Sequence, residues 1–217
     1  MLGGGGLAME ELAERFDDGV RGAPEDDAQA VVWRRRAAAG NVARAQYNLG
    51  VMHERGGGGL ERSDAQAARF YKLAANAGFT EAIFNLGCCY DDGRGVRQDK
   101  AGAVRLWKLA ADQGDAHAQA ALANAYRFGL GVAVDFAAAL LFARRGADGG
   151  DAVGAYHAGG IYARGEGVPV DKREASKWYA KGAEKGDGDC IRALRELAAK
   201  GVAEAAAALR RLRITPA

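Results

Sequence analysis

Ser63, Asp99, Asp135 and Asp171 recur at intervals of 36 residues. Asn41, Gly78, Gly114, Gly150 and Gly186 keep step with them, at intervals of 37, 36, 36 and 36. Between these marks lie related segments: VARAQYNLG over Val42–Gly50, FTEAIFNLG over Phe79–Gly87, DAHAQAALA over Asp115–Ala123 and DAVGAYHAG over Asp151–Gly159. Each leads to a ring residue (His53, Tyr90, Tyr126, Tyr162) and then to a glycine (Gly56, Gly93, Gly129, Gly165). A period of this size marks an array whose units bury their apolar faces against one another.

Residue types say where the helices begin and end. Ser63, Asp99, Asp135 and Asp171 carry side-chain oxygens that accept from the free N–H groups of a helix's first turn. Asn41 and the four glycines suit the left-handed conformation that ends a helix. Ala45, Leu49 and Met52 recur at helical spacing in a first helix, as do Ala118, Leu122 and Ala125. In the second helix Ala67, Phe70/Tyr71 and Ala74 do the same, as do Ala175, Trp178/Tyr179 and Gly182. Each unit therefore reads as a helix–turn–helix. Gly50, Gly87 and Gly159 fall inside first helices, where glycine costs up to about 1 kcal/mol relative to alanine. Close helix contact is the expected compensation, and Ala123 holds the same place.

The ends carry weaker copies. Leu12, Phe16, Gly19, Asp26 and Trp33 lie 37 residues ahead of Leu49, His53, Gly56, Ser63 and Phe70. Leu194 and Gly201 lie 36 residues after Ala158 and Gly165. The expected organisation is a flexible Gly-rich segment over 1–6, then one solenoid over 7–201 with five complete units and a divergent sixth. A capping helix and tail follow over 202–217, the helix running from Glu204 to Arg213.

Composition excludes several alternatives. The 217 residues include 49 Ala, 32 Gly and only 3 Pro, with no three-residue glycine period, so the chain is not collagen-like. Hydrophobic residues at 49% and charged ones at 27% exclude a disordered tail. No run approaches the roughly 20 apolar residues of a membrane span. A net charge of +2 gives no general attraction to nucleic acid or membrane surfaces. Charge is nonetheless uneven: residues 1–30 sum to −6 and residues 191–217 to +4, which reads as solvated end caps ahead of the alternative, a polarised rod that associates head to tail. Three cysteines, two adjacent at Cys88 and Cys89, form no disulfide framework and suit a reducing compartment. Met1–Gly6 lacks the pattern of a secretory signal, so the cytoplasm is the expected location.

The repeats resemble the Sel-1-like repeat (SLR) family, a relative of tetratricopeptide repeats. Its pattern is approximately Gly-Asp-Ala-x-Ala-Gln-Tyr-x-Leu-Gly-x-x-Tyr-x-x-Gly-x-Gly-Val-x-x-Asp-x-x-Lys-Ala-x-x-Trp-Tyr-x-Lys-Ala-Ala. Asp151 to Lys181 and Phe79 to Ala111 follow it closely, and the resemblance spans roughly 7–201. Departures are Phe79 in place of the usual Asp, Ala143 in place of an aromatic, and one extra residue in the turn at Gly56–Gly59. The resemblance implies an all-α, right-handed superhelical α-solenoid acting as an adaptor or scaffold. Some bacterial relatives are secreted with a disulfide in each repeat; this chain lacks those cysteines.

No chemistry stands out. The recurring Gly-x-Gly turns lack the preceding strand and following Gly-Lys-Ser/Thr of a phosphate loop. Cys88-Cys89 has no second pair at metal-ligand spacing, and Cys190 replaces a buried alanine of the repeat. His53, His117 and His157 sit in no recurring catalytic constellation. Arg34-Arg35-Arg36 and Arg210-Arg211-x-Arg213 are not interleaved with exposed aromatics, as single-strand binding would need. The expectation is a non-enzymatic chain with no catalytic, cofactor or metal site, no nucleic-acid partner and no membrane insertion.

A protein or peptide partner is expected instead, on the concave face that solenoids use. The first helices would present Arg44, Tyr47, Glu54, Glu81, Phe84, Asp91, His117, Asn124, Arg127 and Tyr156 there. A second candidate is an apolar edge in the unit over 115–149. Phe128 stands where Arg55, Asp92 and Arg164 stand, and Leu130 where Arg94 and Glu166 stand. Phe136 matches Asp64, Lys100 and Lys172, and Leu141 matches Arg69, Arg105 and Lys177. Exposed apolar clusters mark interfaces, with a partner or with a second copy. The alternative reading is a structural subunit that uses its convex face and ends.

Overall fold

The computed structural model describes residues 7–12 and 27–215. Of the N-terminal marks, Phe16, Gly19 and Asp26 lie outside the described residues, as does the glycine run of 1–6. The described residues are helical with no strand: α1 (7–12), α2 (Asp27–Ala39), α3 (Ala43–Arg55), α4 (Asp64–Asn76), α5 (Thr80–Asp92), α6 (Lys100–Asp112), α7 (Ala116–Phe128), α8 (Phe136–Asp148), α9 (Ala152–Arg164), α10 (Lys172–Ala183), α11 (Gly188–Ala199) and α12 (Ala203–Arg211). Odd-numbered helices from α3 onward are the first helices of the repeats, and even-numbered ones the second. The chain divides into two compact units, Met1–Leu106 and Trp107–Ala217, with the boundary inside α6.

The punctuation read from the sequence is in place. The Ser63 and Asp135 side chains accept from the backbone N–H of Gln66 and Ala138, Asp99 from Gly102 and Asp171 from Glu174. Asn41, Gly78, Gly114, Gly150 and Gly186 all take positive φ, between 61° and 93°. First helices have their own caps: Asp115, Asp151 and Asp187 accept from Ala118, Gly154 and Cys190. The last helix ends at Arg211 rather than Arg213, which takes a left-handed φ of 56°.

In the first unit Ala37, Ala38, Ala45 and Leu49 form one core cluster and Ala67, Ala68, Tyr71, Leu86 and Cys89 another. The glycine inside a first helix is a contact device. A Cβ on Gly50 would lie 2.6 Å from two ring atoms of Tyr71, which is fully buried. In the second unit Gly159 stands in the same relation to Tyr179. Ala143, the unusual residue at the tyrosine position of α8, clusters with Ala123, which replaces the glycine. The small partner moves from one helix to the other and the seam stays filled. Gln46 and Gln119 are a further buried pair of equivalents: each donates from Nε2 to a carbonyl eight residues back, Ala38 and Ala111. Each ties a first helix to the second helix before it.

The turn between a unit's two helices is equally constrained. At Gly95, φ is +69° and a Cβ would sit 2.0 Å from the Asp64 carbonyl oxygen. Between α9 and α10 the turn spans residues 165–171, whereas α11 and α12 are joined by 200–202 alone. The divergent final unit is therefore a tighter hairpin, closed by Cys190, Leu194, Leu197, Ala205 and Leu209.

Candidate partner-binding surfaces

Two of the expected contact residues are taken up by the fold. Glu54, at the end of α3, is bound by Arg94 of the next turn, and the Tyr71 hydroxyl donates to its Oε2 at 2.7 Å. Burial raises the Glu54 pKa, but the hydrogen bonds from Tyr71 and Arg94 outweigh it and hold the carboxyl below its ordinary value. The second unit repeats this arrangement with the charges exchanged. Arg127, at the end of α7, is buried, and its Nε and Nη2 bind the two carboxylate oxygens of Glu166. Arg164 donates from Nε to Glu166 Oε1 at 2.9 Å. Burial opposes ionisation of Glu166, and Arg127 and Arg164 together lower its pKa nonetheless. Glu54 and Arg127 thus act between consecutive repeats. The expectation that Arg127 faces a partner is corrected: its side chain is 1% exposed.

His157 lies beside this pair. Arg127 Nη1 sits 3.4 Å from its Nδ1. An arginine only donates, so Nδ1 accepts and the imidazole is neutral. Burial, reinforced by the Arg127 charge, lowers its pKa to about 4. Tyr156 packs against both His157 and Tyr179, with ring centroids 5.9 and 6.0 Å away.

The remaining first-helix candidates separate by unit. In the first, Arg44 and Glu81 are exposed and Tyr47, Phe84 and Asp91 half-buried. Tyr47 rests on Phe79 and Tyr71, at 5.1 and 5.9 Å, and its pKa is raised by burial and by Glu81. Asp91 meets Lys100 at 3.4 Å. In the second unit Asn124 is half-buried, and His117 is exposed with its Nδ1 on Asp151, the N-cap carboxylate of α9. In this unit Arg127 touches both Phe128 and His157, Tyr156 packs on His157, and His117 is held by Asp151.

The apolar edge is present but not as four open side chains. Phe128 is 56% exposed and Leu141 50%; Leu130 and Phe136 are half-buried. Gly167 of the following turn explains Phe136: a Cβ there would lie 2.6 Å from Phe136 Cβ. The Arg127 guanidinium sits 5.0 Å from the Phe128 ring, on its inner side. Val134 (53% exposed), beside the Gly129 turn, and Val170 (58%), beside the equivalent Gly165 turn, are further open apolar residues that a comparison of repeats does not mark, because valine is ordinary in these turns. Leu141 lies about a turn and a half further along α8.

Cys88 is half-buried, and Cys89 and Cys190 are buried free thiols; burial pushes Cys89 to about 11. Among the described residues no group of three His, Cys, Asp or Glu side chains could hold a metal ion, and no helix is long and apolar enough to cross a membrane.

Comparison with known proteins agrees with this architecture. A family model described as Sel1 repeat matches residues 6–42, 43–79, 80–115, 116–151 and 152–187. No curated protein sequence matches. Among solved structures, the chain is similar to c5321, a protective antigen of uropathogenic Escherichia coli with an SLR fold. The TM-score is 0.83 at 30% identity, over 96% of this chain and 45% of that one, so the chain spans under half the antigen's length. A Sel1 repeat protein from Oxalobacter formigenes gives 0.82 at 28% identity, covering 88% and 78% of the two chains. A Klebsiella pneumoniae protein at 22% identity, with a TM-score of 0.56 over 88% and 92% of the two chains, shares the fold. Sel1 repeat proteins generally mediate protein–protein interaction and are typically non-enzymatic. With its helix pairs, Gly-x-Gly turns and five matched repeats, this chain belongs to the Sel1 repeat family of α-solenoid proteins.

Proposed function

We propose that the chain is an adaptor or scaffold that holds a protein or peptide partner on the surface of its repeats. The observation that carries this reading is the exposure of Phe128, Val134 and Leu141, each at least half open to solvent. The positions of Phe128 and Leu141 hold charged residues in the sister repeats. Apolar side chains kept at a surface that the same fold elsewhere makes polar mark an interface. On the first-helix faces, Arg44, Tyr47, Glu81 and Phe84 of the first unit and His117, Asn124 and Tyr156 of the second add aromatic and polar contacts of the kind that fix orientation. Glu54 and Arg127 serve from behind, by holding consecutive repeats in register.

The test is affinity capture with the wild-type chain and the double variant Phe128→Arg, Leu141→Arg, read by quantitative mass spectrometry. Both residues are exposed, so helicity should stay unchanged while a specific set of captured proteins is lost. An identical captured set with both chains would remove the edge from the binding surface. Sedimentation of the same pair separates self-association from binding to another protein.

A further inference from the structure

Every second helix before the last carries a large apolar residue at one recurring place: Trp33, Phe70, Leu106, Phe142 and Trp178. In the second unit Trp178 of α10 packs back onto α8, against the cluster that includes Leu140 and Phe142, with the Arg144 guanidinium 5.8 Å from its ring. Its indole Nε1 donates to Glu174 Oε1 at 3.1 Å. Burial and ion pairing set the register of α12 against α10. Ala205 and Leu209 repeat the burial of Ala175 and Tyr179. The Arg211–Glu184 pair repeats Lys181–Asp148, each joining a second helix to the one before it. In this register Ala208 stands for Trp178, Ser176 for Leu140 and Ala180 for Arg144.

Three side chains that fill the α8/α10 seam are thus replaced by small ones in the α10/α12 seam. The result is a groove of about 310 Å³ lined by Ser176, Lys177, Ala180, Glu204, Ala207, Ala208 and Arg211. The carboxylate survives the loss of the ring. Glu204 precedes Ala208 by four residues, as Glu174 precedes Trp178. Glu174 divides its oxygens, Oε2 to Lys177 and Oε1 to the indole. Glu204 gives Oε1 to Arg173 at 3.0 Å, which leaves Oε2 for a second donor. The other charges facing the groove, Lys177 and Arg211, are held at its rim by Glu174 and Glu184.

We infer that this groove receives a tryptophan side chain presented by a protein partner, its indole N–H donating to Glu204 and its ring lying over Ser176, Ala180 and Ala208. A groove of this size lies at the lower end of ligand sites. Buried tryptophans with a satisfied N–H are frequent interface anchors. The inference rests on the reading of the chain as a protein-binding module and gives that module one anchor.

The test uses the full chain, isotope-labelled, titrated with N-acetyl-tryptophanamide and, for comparison, N-acetyl-leucinamide. The amides of Ser176, Ala180, Glu204 and Ala208 should shift saturably, at least about 5-fold more tightly for the tryptophan probe, since the leucine probe offers neither ring nor indole donor. Ala208→Trp should close the site, abolish these shifts and raise the melting temperature by about 2–4 °C. Glu204→Ala, a partly exposed change that leaves the helix intact, should weaken the tryptophan probe about 5-fold and leave the leucine probe unchanged. Equal binding of both probes, absence of saturation at these amides, or a lower melting temperature for Ala208→Trp would overturn the inference. None of these results bears on the Phe128 and Leu141 capture experiment, so the two readings fail separately.

Discussion

Gly159→Ala is the sharpest perturbation of the repeat's packing. In a helix that tolerated the methyl, the change would stabilise by up to about 1 kcal/mol through helix propensity. Here the new Cβ would lie 2.6 Å from Cδ1 and Cε1 of Tyr179 and 2.9 Å from Cζ. Tyr179 is 4% exposed and packs in the core between α10 and α11, so its ring has little room to withdraw. Overpacking of this kind costs about 1–3 kcal/mol, which exceeds the propensity gain. The expected outcome is a net loss of about 1 kcal/mol, seen as a melting temperature lower by about 2–4 °C in far-UV circular dichroism. Gly188→Ala, with nothing within 4 Å of its Cβ, is the control and should be neutral or slightly stabilising. Tyr179→Ala alone should cost about 3–5 kcal/mol. In the Gly159→Ala background it should cost at least about 1 kcal/mol less, because the double variant approaches the Ala123/Ala143 arrangement of the preceding seam. A rise in melting temperature for Gly159→Ala, with no coupling to Tyr179, would falsify the view that these glycines exist for helix approach.

Three further outcomes are expected. Asp151→Ala should lose about 1–2 kcal/mol by urea denaturation, more than Asp135→Ala, because Asp151 both caps α9 and receives His117; equal losses would discount the His117 contact. Glu166→Ala strands Arg127 in the interior and should cost about 3–5 kcal/mol, whereas Arg127→Met with Glu166→Leu should restore most of it; a mild single variant would show the pair to be solvated. His157 is neutral in the fold with a pKa near 4, against about 6.5 when unfolded, so only the unfolded chain binds a proton between those values. Stability is complete above pH 6.5 and falls by about 1.4 kcal/mol per unit as the pH drops toward 4. His157→Gln should flatten the urea midpoint across that window, and a profile identical to wild type would exclude His157 as its source.

The period made most of the fold legible, because caps and left-handed positions are local chemistry. Ser63, Asp99, Asp135 and Asp171 cap the helices their spacing predicts, and Asn41 adopts the conformation its side chain allows. Asp115, Asp151 and Asp187 carry the same signal in their Gly-Asp dipeptides, although the family pattern alone does not mark their aspartates as caps. The surface was less legible. Position within a helix gives the face of a side chain but not the length or charge of what reaches it from the next repeat. Arg127 has the helix position of a groove residue, but Glu166, 39 residues away, binds it. Phe136 looked exposed because its sisters are charged, and the glycine that covers it belongs to the following turn. The groove beside Ala208 was hidden because the final turn shortens the register by several residues, which removes it from any comparison at a spacing of 36.

The exchanged ion pairs also restrict the order of the repeats. The unit ending in Glu54 needs a successor whose turn carries a base, and Arg94 supplies it. The unit ending in Arg127 needs a successor whose turn carries an acid, and Glu166 supplies that. If those successors were traded, Glu54, half-buried, would meet a carboxylate and Arg127, buried, a guanidinium, and like charges so placed are costly. Modules that look interchangeable in outline thus carry addresses. Duplicated or shuffled copies of these units would be rejected by their neighbours at the junction, before any partner is involved.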